Sequence, residues 1–329
     1  MRAVVCHSYG PPENLSIDTV DDPQPGKGDV LIDVYAAGLN FPDTLQIQGK
    51  YQFQPPFPFT PGSEIAGVVS HLGEGVTQLA VGDRVLAMAG IGGMAEKIVV
   101  PEAFALKIPA DMDMPSAAGF LMICGTSFYA LKQRGRLMPG ETLLVTGASG
   151  GVGHAAVQLG KAMGARVIAA ASTPEKCAVA KEAGADETIC YGSESLKDRV
   201  KALTGGAGAD VIYDPVGGEL FDQCARCVGW NGRILVIGFA CGEIPAFKTN
   251  LALLKGSSIV GVFWGDWIRR EPEAHFANCQ ELFTLFEQGK IRPHISQTFP
   301  LEQVADAMNV FIERRAVGKI VLEMQQEQA

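Results

Sequence analysis

No run of lysine or arginine interrupts this 329-residue chain, and its 27 basic side chains are outnumbered by 36 acidic ones, for a net charge of −9. Binding a nucleic-acid backbone requires clustered positive charge that displaces counterions, so nucleic acid is excluded as a partner class. Long apolar runs are missing as well. Residues 114–131 and 142–160 carry no charged side chain, but both contain several glycines and hydroxyl residues. A bilayer demands about 20 uniformly apolar residues. The first stretch reads instead as buried helical segments broken by glycine. The opening residues, Met1-Arg2-Ala3-Val4-Val5-Cys6-His7, lack the apolar centre of a secretory signal. A soluble, cytoplasmic chain is therefore expected, with no membrane partner.

Paired cysteines and clustered histidines are also lacking. The cysteines at 6, 124, 177, 190, 224, 227, 241 and 279 are scattered, which in a chain this long is no disulfide framework. Cys224 and Cys227 stand close together, yet no second pair or matched histidines follow to complete a zinc site. These thiols read as small buried hydrophobes. The histidines at 7, 71, 154, 275 and 294 show no ligand spacing, and His154 reads as a packing or surface residue.

What is present is enough apolar sequence, 47% of the chain, to build two domains. Residues 1–122 are rich in glycine, proline and short β-type runs, as at 30–35, 65–69 and 84–88. The turn signals Pro23-Gln24-Pro25-Gly26, Pro61-Gly62 and Val81-Gly82-Asp83 punctuate them. This spacing predicts a small β-barrel-like domain. From 123 to 264 the rhythm becomes strand–helix alternation, with apolar strands at 142–146, 166–171, 187–190, 209–214, 233–239 and 258–263. Amphipathic stretches at 152–164, 174–183, 195–204 and 218–228 lie between them. Such alternation predicts a parallel sheet covered on both faces. Residues 265–329, with helical patterns at 274–288 and 301–314 and a strand at 319–323, are expected to rejoin the first domain. The tail at 325–329 is expected to fray.

The strand at 142–146 runs into Gly147-Ala148-Ser149-Gly150-Gly151-Val152-Gly153, which opens a helix. Strand, glycine turn and helix together form the context of a dinucleotide-binding turn. Glycine lets a pyrophosphate approach the backbone, and the helix start supplies free N–H groups and partial positive charge. Alanine at 148 replaces the first glycine of the usual fingerprint. The second strand ends in Ala171-Ser172-Thr173, with no carboxylate at its tip to accept from a ribose 2′-hydroxyl. Ser172 and Lys176 suit a 2′-phosphate instead, so NADPH is the expected cofactor. A solvated helix-face lysine is the competing reading of Lys176.

With these residues in place, the chain resembles the medium-chain dehydrogenase/reductase superfamily, and within it the zinc-independent NADPH:quinone oxidoreductase family that includes zeta-crystallin. The resemblance covers essentially the whole chain. It rests on Ala37-Gly38-Leu39-Asn40-Phe41-Pro42-Asp43, Pro61-Gly62-Ser63-Glu64-Ile65-Ala66-Gly67, Val81-Gly82-Asp83-Arg84-Val85, the 148–153 turn and Gly318-Lys319-Ile320-Val321. It implies a Rossmann-type doubly wound parallel sheet, residues 123–264, inserted in a GroES-like β-barrel-type catalytic domain, residues 1–122 and 265–329. Zinc-dependent relatives place cysteine and histidine ligands where Asn40 and Ser63 stand here. An amide and a hydroxyl are poor substitutes, so no metal is expected.

The resemblance also implies the site. Asn40 and Tyr51 are the expected catalytic residues, Asn40 facing both nicotinamide and substrate. Tyr191 would line the 2′-phosphate pocket beside Ser172 and Lys176. Ala148, Gly150, Gly151, Val152 and Gly153 would hold the pyrophosphate. Val216, Gly238, Phe239, Phe263 and Trp264 would bracket the nicotinamide, and Thr126 and Lys319 are expected among the cofactor's contacts. Asp43 is read as structural. Leu45 stands where relatives often carry a second tyrosine, which leaves the acceptor open. Hydride transfer to a quinone and reduction of an activated C=C bond in an enone, 2-alkenal or enoyl-CoA both fit, as does an NADPH-binding structural or sensor role. A homodimer is expected through the strand near 258–263, whose exposed edge would pair with its twin.

Overall fold

The computed structural model describes residues 1–324, so the tail at 325–329 lies outside the described residues. Its strands in chain order are β1 (Arg2–Val5), β2 (Ser16–Thr19), β3 (Asp29–Leu39), β4 (Glu64–Leu72), β5 (Arg84–Met88), β6 (Lys97–Pro101), β7 (Ala105–Lys107), β8 (Thr142–Val145), β9 (Arg166–Ala171), β10 (Glu187–Cys190), β11 (Ala209–Asp214), β12 (Val228–Val236), β13 (Ser258–Gly261), β14 (Ile295–Pro300) and β15 (Lys319–Glu323). The chain divides into two compact units: residues 1–121 together with those from 293 onward, and residues 122–292.

In the first unit β3 is the organising strand. Its first half pairs with β6 and its second half with β15, while β4 runs along its other edge. Two register shifts in the β3–β4 ladder, at Leu31/Ile32 and Val34/Ala36, bend the strand as bulges do. The sheet order is β14-β15-β3-β4-β5-β7. Val30, Ile32 and Val34, at alternate positions of β3, point with Ile65, Val85, Ile320 and Leu322 into one apolar core. The result is the GroES-like, barrel-type domain.

The second unit holds a six-stranded sheet in the order β10-β9-β8-β11-β12-β13, parallel throughout. Chain order reverses between β8 and β11, the switch point at which doubly wound sheets bind ligands at their carboxyl ends. Leu143, Leu144, Val145, Val167 and Ile168 are all fully buried, as unbroken apolar strands between two helical layers must be. Thr173 caps the helix Pro174–Glu182 by accepting from the Lys176 N–H at 3.3 Å. The strand predicted at 233–239 runs instead from Val228 to Val236, with Asn231 in a left-handed conformation (φ 56°) inside it.

The second junction falls after residue 292, not after 264 as expected. Helices Trp264–Arg270 and Pro272–Glu287 belong to the nucleotide unit because they pack on its entry segment. Trp267 stacks on Tyr129 at 4.4 Å, and Gln133 Nε2 donates to Asn278 Oδ1 at 2.9 Å. Polar–apolar rhythm alone does not show which sheet a terminal helix covers.

Candidate active site

The glycine turn sits at the carboxyl end of β8. Gly147 adopts φ 56°, and the Ala148 N–H donates to Ala170 O at 3.0 Å, which pins the turn to β9. The Ala148 methyl group is fully buried, which explains why alanine serves where a glycine is usual. A Cβ on Gly153 would lie 2.3 Å from Gly147 O, so only glycine lets the helix Gly151–Ala162 start this close to the turn. Gly150 precedes that helix with no side-chain cap on its N-terminal N–H groups, leaving orphan donors suited to an anion. Gly151 and Val152 are part-buried in the first turn. Ser127 Oγ donates to Val152 O at 2.9 Å and hydrogen-bonds the buried Tyr213 hydroxyl at the same distance. Thr126 is thereby held, part-buried, on the neighbouring segment.

At the tip of β9 the structure brings Ser172 and Tyr191 together through a side-chain hydrogen bond. Burial, the larger effect, raises the tyrosine's pKa, and that bond opposes the rise. The Tyr191 N–H donates to Ala171 O at 3.0 Å. Lys176 lies part-buried in the first turn of the next helix. Residues 171–173 at the strand tip carry no carboxylate of their own, while the Glu175 carboxyl is held by the Thr173 side chain.

A residue not singled out from sequence organises the far side of the switch point. Asp214, buried at the end of β11, accepts from Thr146 Oγ1 at 2.6 Å and from the Val216 and Gly217 N–H groups at 3.0 and 3.3 Å. Burial raises its pKa, and these donors offset part of the rise. The only hint in the sequence is a carboxylate closing an apolar strand. The loop after β11 is laced to the loop after β12, with the Ala240 and Cys241 N–H groups donating to Pro215 O and Val216 O at 3.0 Å each. Val216, Gly238 and Phe239 thus gather near Gly147. The Val216 side chain would meet a Cβ on Gly147 at 3.0 Å, and Phe239 one on Gly217 at 3.0 Å. Phe263 and Trp264 part company. Phe263 is exposed, whereas Trp264 is buried against Gly125 and meets His275 edge-on at 5.6 Å. Trp264 therefore acts as packing here.

In the first unit, Asn40 precedes the helix Phe41–Ile47, and its backbone N–H donates to the buried Asp43 carboxylate at 2.7 Å. That is the structural role read for Asp43. Burial, more than any neighbour, pushes this carboxyl up to about 7. Tyr51 is part-buried, and burial, with the Asp43 charge adding to it, raises its pKa. Lys319 departs from expectation: its ammonium is not offered to a cofactor. It is 2% exposed and donates to Leu39 O at 2.9 Å, Asn40 Oδ1 at 2.6 Å and Glu64 Oε1, so its three protons have three acceptors. The amide nitrogen of Asn40 donates to Glu64 Oε1 at 3.1 Å and lies 3.3 Å from Gly38 O and 3.4 Å from Ser63 Oγ. Two glycines make room: a Cβ on Gly38 would fall 2.8 Å from Glu64 Oε1, and one on Gly119 would fall 2.8 Å from Lys319 Cγ.

An alcohol dehydrogenase GroES-like domain model matches residues 26–110, and a zinc-binding dehydrogenase model matches residues 151–280. A quinone oxidoreductase-like protein 2 homolog of Nematostella vectensis is 41% identical over 328 residues, 99% of this chain and 89% of that protein. The chain belongs to the zinc-independent quinone oxidoreductase-like family of the medium-chain dehydrogenase/reductase superfamily. It is an oxidoreductase of that family. A mycobacterial protein solved in complex with NADPH matches with a TM-score of 0.92 and 32% identity, covering 98% of this chain and all of that one. Quinone oxidoreductase of Escherichia coli, also complexed with NADPH, matches with a TM-score of 0.92, 28% identity and the same coverage.

The name of the second family model calls for a test of zinc against the donors present. Asn40, Ser63 and Glu64 do converge, but the Lys319 ammonium already lies among them, and a second cation there would be repelled. Amide and hydroxyl oxygens are weak zinc ligands beside thiolate and imidazole. Among the described residues no three His, Cys, Asp or Glu side chains form a metal-binding group. Zinc does not fit. Nor is any helix among the described residues long and apolar enough to cross a membrane.

Proposed function

We propose that this protein reduces a quinone at the expense of NADPH. The observation that carries the cofactor choice is the tip of β9, where the Ser172 side chain faces Tyr191, Lys176 follows in the next helix turn, and residues 171–173 lack the carboxylate that would repel a 2′-phosphate. The uncapped N–H groups at 151–153 bind the pyrophosphate, and the glycines let it approach. When bound, the dihydronicotinamide supplies the hydride.

The protein's own work is to orient and to meet charge. Reduction places negative charge on the acceptor's oxygen, and without a metal that charge is met by hydrogen-bond donors. The Asn40 amide and the Tyr51 hydroxyl supply them. The raised pKa of Tyr51 keeps the phenol protonated, so it can donate. The loop after Tyr51 is aromatic: Phe57 meets Tyr9 edge-on at 4.6 Å and stacks on Phe59 at 5.7 Å, and Phe53 is exposed. A planar, apolar quinone suits such a loop better than a chain-like acyl thioester does.

Dimerisation belongs to the same proposal. Among the described residues β13 is an edge strand paired with β12, and the helix Thr249–Lys255 before it has no fully buried residue, leaving Leu253 82% exposed. An unpaired edge beside exposed leucines fits a second copy of the chain. Ile259→Lys should yield a monomer by light scattering, and a wild-type mass of one chain would end this part of the reading.

Steady-state rates with a p-quinone, a 2-alkenal and an enoyl-CoA, each under NADPH and NADH, test the function. Faster quinone turnover with NADPH is the expected result. Faster alkenal or enoyl-CoA turnover would transfer the protein to C=C reduction. Tight NADPH binding with no turnover of any acceptor would leave a sensor or structural role.

A further inference from the structure

We infer that Lys319 and Glu64 are positioning residues that set the sense of the Asn40 side-chain amide, so that its NH₂ end, and never its carbonyl, is available to the acceptor's oxygen. The inference rests on the proposed role of Asn40 as a donor and adds what makes it one.

An asparagine side chain is nearly symmetric in shape but opposite in chemistry at its two ends. Its orientation is decided by what it faces. Lys319 is donor-only, so the end of the amide 2.6 Å from its Nζ must be the oxygen. Glu64, ion-paired to the same ammonium, is acceptor-only, so the end 3.1 Å from its Oε1 must be the nitrogen. A flipped amide would set NH₂ against an ammonium and C=O against a carboxylate, both out of water, where such contacts cost most.

One of the two amide hydrogens is taken by Glu64. The other has only Gly38 O at 3.3 Å and Ser63 Oγ at 3.4 Å, beyond the usual range for an N–H···O bond. It can be surrendered to an incoming oxygen at little loss. The backbone bond from the Asn40 N–H to Asp43 holds the residue's main chain meanwhile.

The pair's own contribution to stability is not a sufficient reason for it. Two desolvated charges seldom stabilise more than well-packed neutral residues of the same shape. Fixing one orientation of a neighbouring amide is a use that neutral residues could not serve.

The test is the double variant Lys319→Met/Glu64→Gln, which removes both charges together and leaves no buried ion unpaired. The expected result is a folded protein whose kcat for the quinone falls about a hundredfold to a thousandfold, the range for losing one oxyanion donor. Its KM for NADPH should stay within about twofold, since the Lys319 ammonium is engaged by Leu39, Asn40 and Glu64. A purely structural role would lower the melting temperature and leave kcat of the folded fraction intact. Wild-type kcat in the folded double variant would overturn the inference. So would a raised KM for NADPH with kcat unchanged, which would return Lys319 to the cofactor. Should the variant not fold, neutron diffraction from the wild-type protein decides: deuterium on the amide end facing Glu64 supports the inference, and the reverse refutes it. That readout needs no turnover, so it stands apart from any failure of the quinone assay.

Discussion

Adding one methyl group to each of two glycines in the nucleotide turn should separate the turn's packing from its binding. At Gly153 the new Cβ would sit 2.3 Å from Gly147 O and 2.9 Å from Ala148 Cα, where an ordinary contact needs 3.4 Å or more. The backbone must give by about 1 Å, yet Ala148 is tied to Ala170 O on the next strand and cannot retreat. Overpacking of this kind costs about 1–3 kcal/mol, offset by about 1 kcal/mol for replacing glycine in a helix. Gly153→Ala should therefore be destabilised by about 0–2 kcal/mol, lowering Tm by up to about 8 °C in a unit of this size. The displaced helix start should also lose at least about tenfold in NADPH affinity, since hydrogen bonds to a charged group are worth about 1.5–3 kcal/mol. At Gly150, by contrast, the nearest atom to a new Cβ is Gly147 O at 3.5 Å, and φ is −79°, which alanine adopts freely. Gly150→Ala should keep its Tm within about 1 °C and lose affinity alone, because the methyl occupies space the pyrophosphate needs. Thermal melts and fluorescence titration with NADPH measure both. Wild-type NADPH affinity in either variant would refute the reasoning for that position.

Other perturbations have equally definite outcomes. Asp214→Ala leaves the Val216 and Gly217 N–H groups and the Thr146 hydroxyl without their acceptor; urea unfolding should show a loss of about 2–4 kcal/mol, with NADPH affinity falling as the loop loosens. The Asp43 carboxyl, pushed up to about 7 from an ordinary 3.8, binds its proton more tightly folded than unfolded. Its contribution is favourable below pH 4 and is lost as pH rises through 7, so Asp43→Asn should gain relative stability between pH 4 and 7 by about 2–4 kcal/mol and then level off. A flat difference between variant and wild type across that window would refute it. His275 shows the opposite behaviour: burial pushes it down to about 4 from 6.5, so its stabilisation is complete above pH 6.5 and lost as pH falls through 4. His275→Phe, which keeps the edge contacts to Trp264 and Trp267, should flatten the acid limb of the stability profile.

What could be read in advance was what local chemistry dictates. The turn at 147–153, the helix caps at Thr173 and Pro174 and the run of apolar strands follow from glycine, hydroxyl and β-branched residues acting over a few positions. The unit boundary did not, because the helices at 264–287 are amphipathic whichever sheet they cover. Lys319 was placed with the cofactor because a lysine in a short motif gives no sign that Asn40 and Glu64, about 280 and 255 residues away in the chain, will take its protons. Asp214 went unnoticed for a related reason. Its partners lie on a neighbouring strand and on its own following loop, and only the parallel pairing of β8 with β11 brings them together. Gly38 and Gly119 were visible as residues, but the close neighbours that require them, the Ala118 carbonyl, Ile295, Glu64 and Lys319, are brought there by the fold.

The central claim is that this chain oxidises NADPH with a quinone, without metal. The most direct measurement is the initial rate of loss of nicotinamide absorbance with a p-quinone, comparing NADPH with NADH in the presence of a chelator. The account predicts turnover unaffected by the chelator, with kcat/KM at least about tenfold higher for NADPH, a difference of about 1.4 kcal/mol. A rate no faster than buffer, a preference for NADH, or activity abolished by the chelator would contradict it.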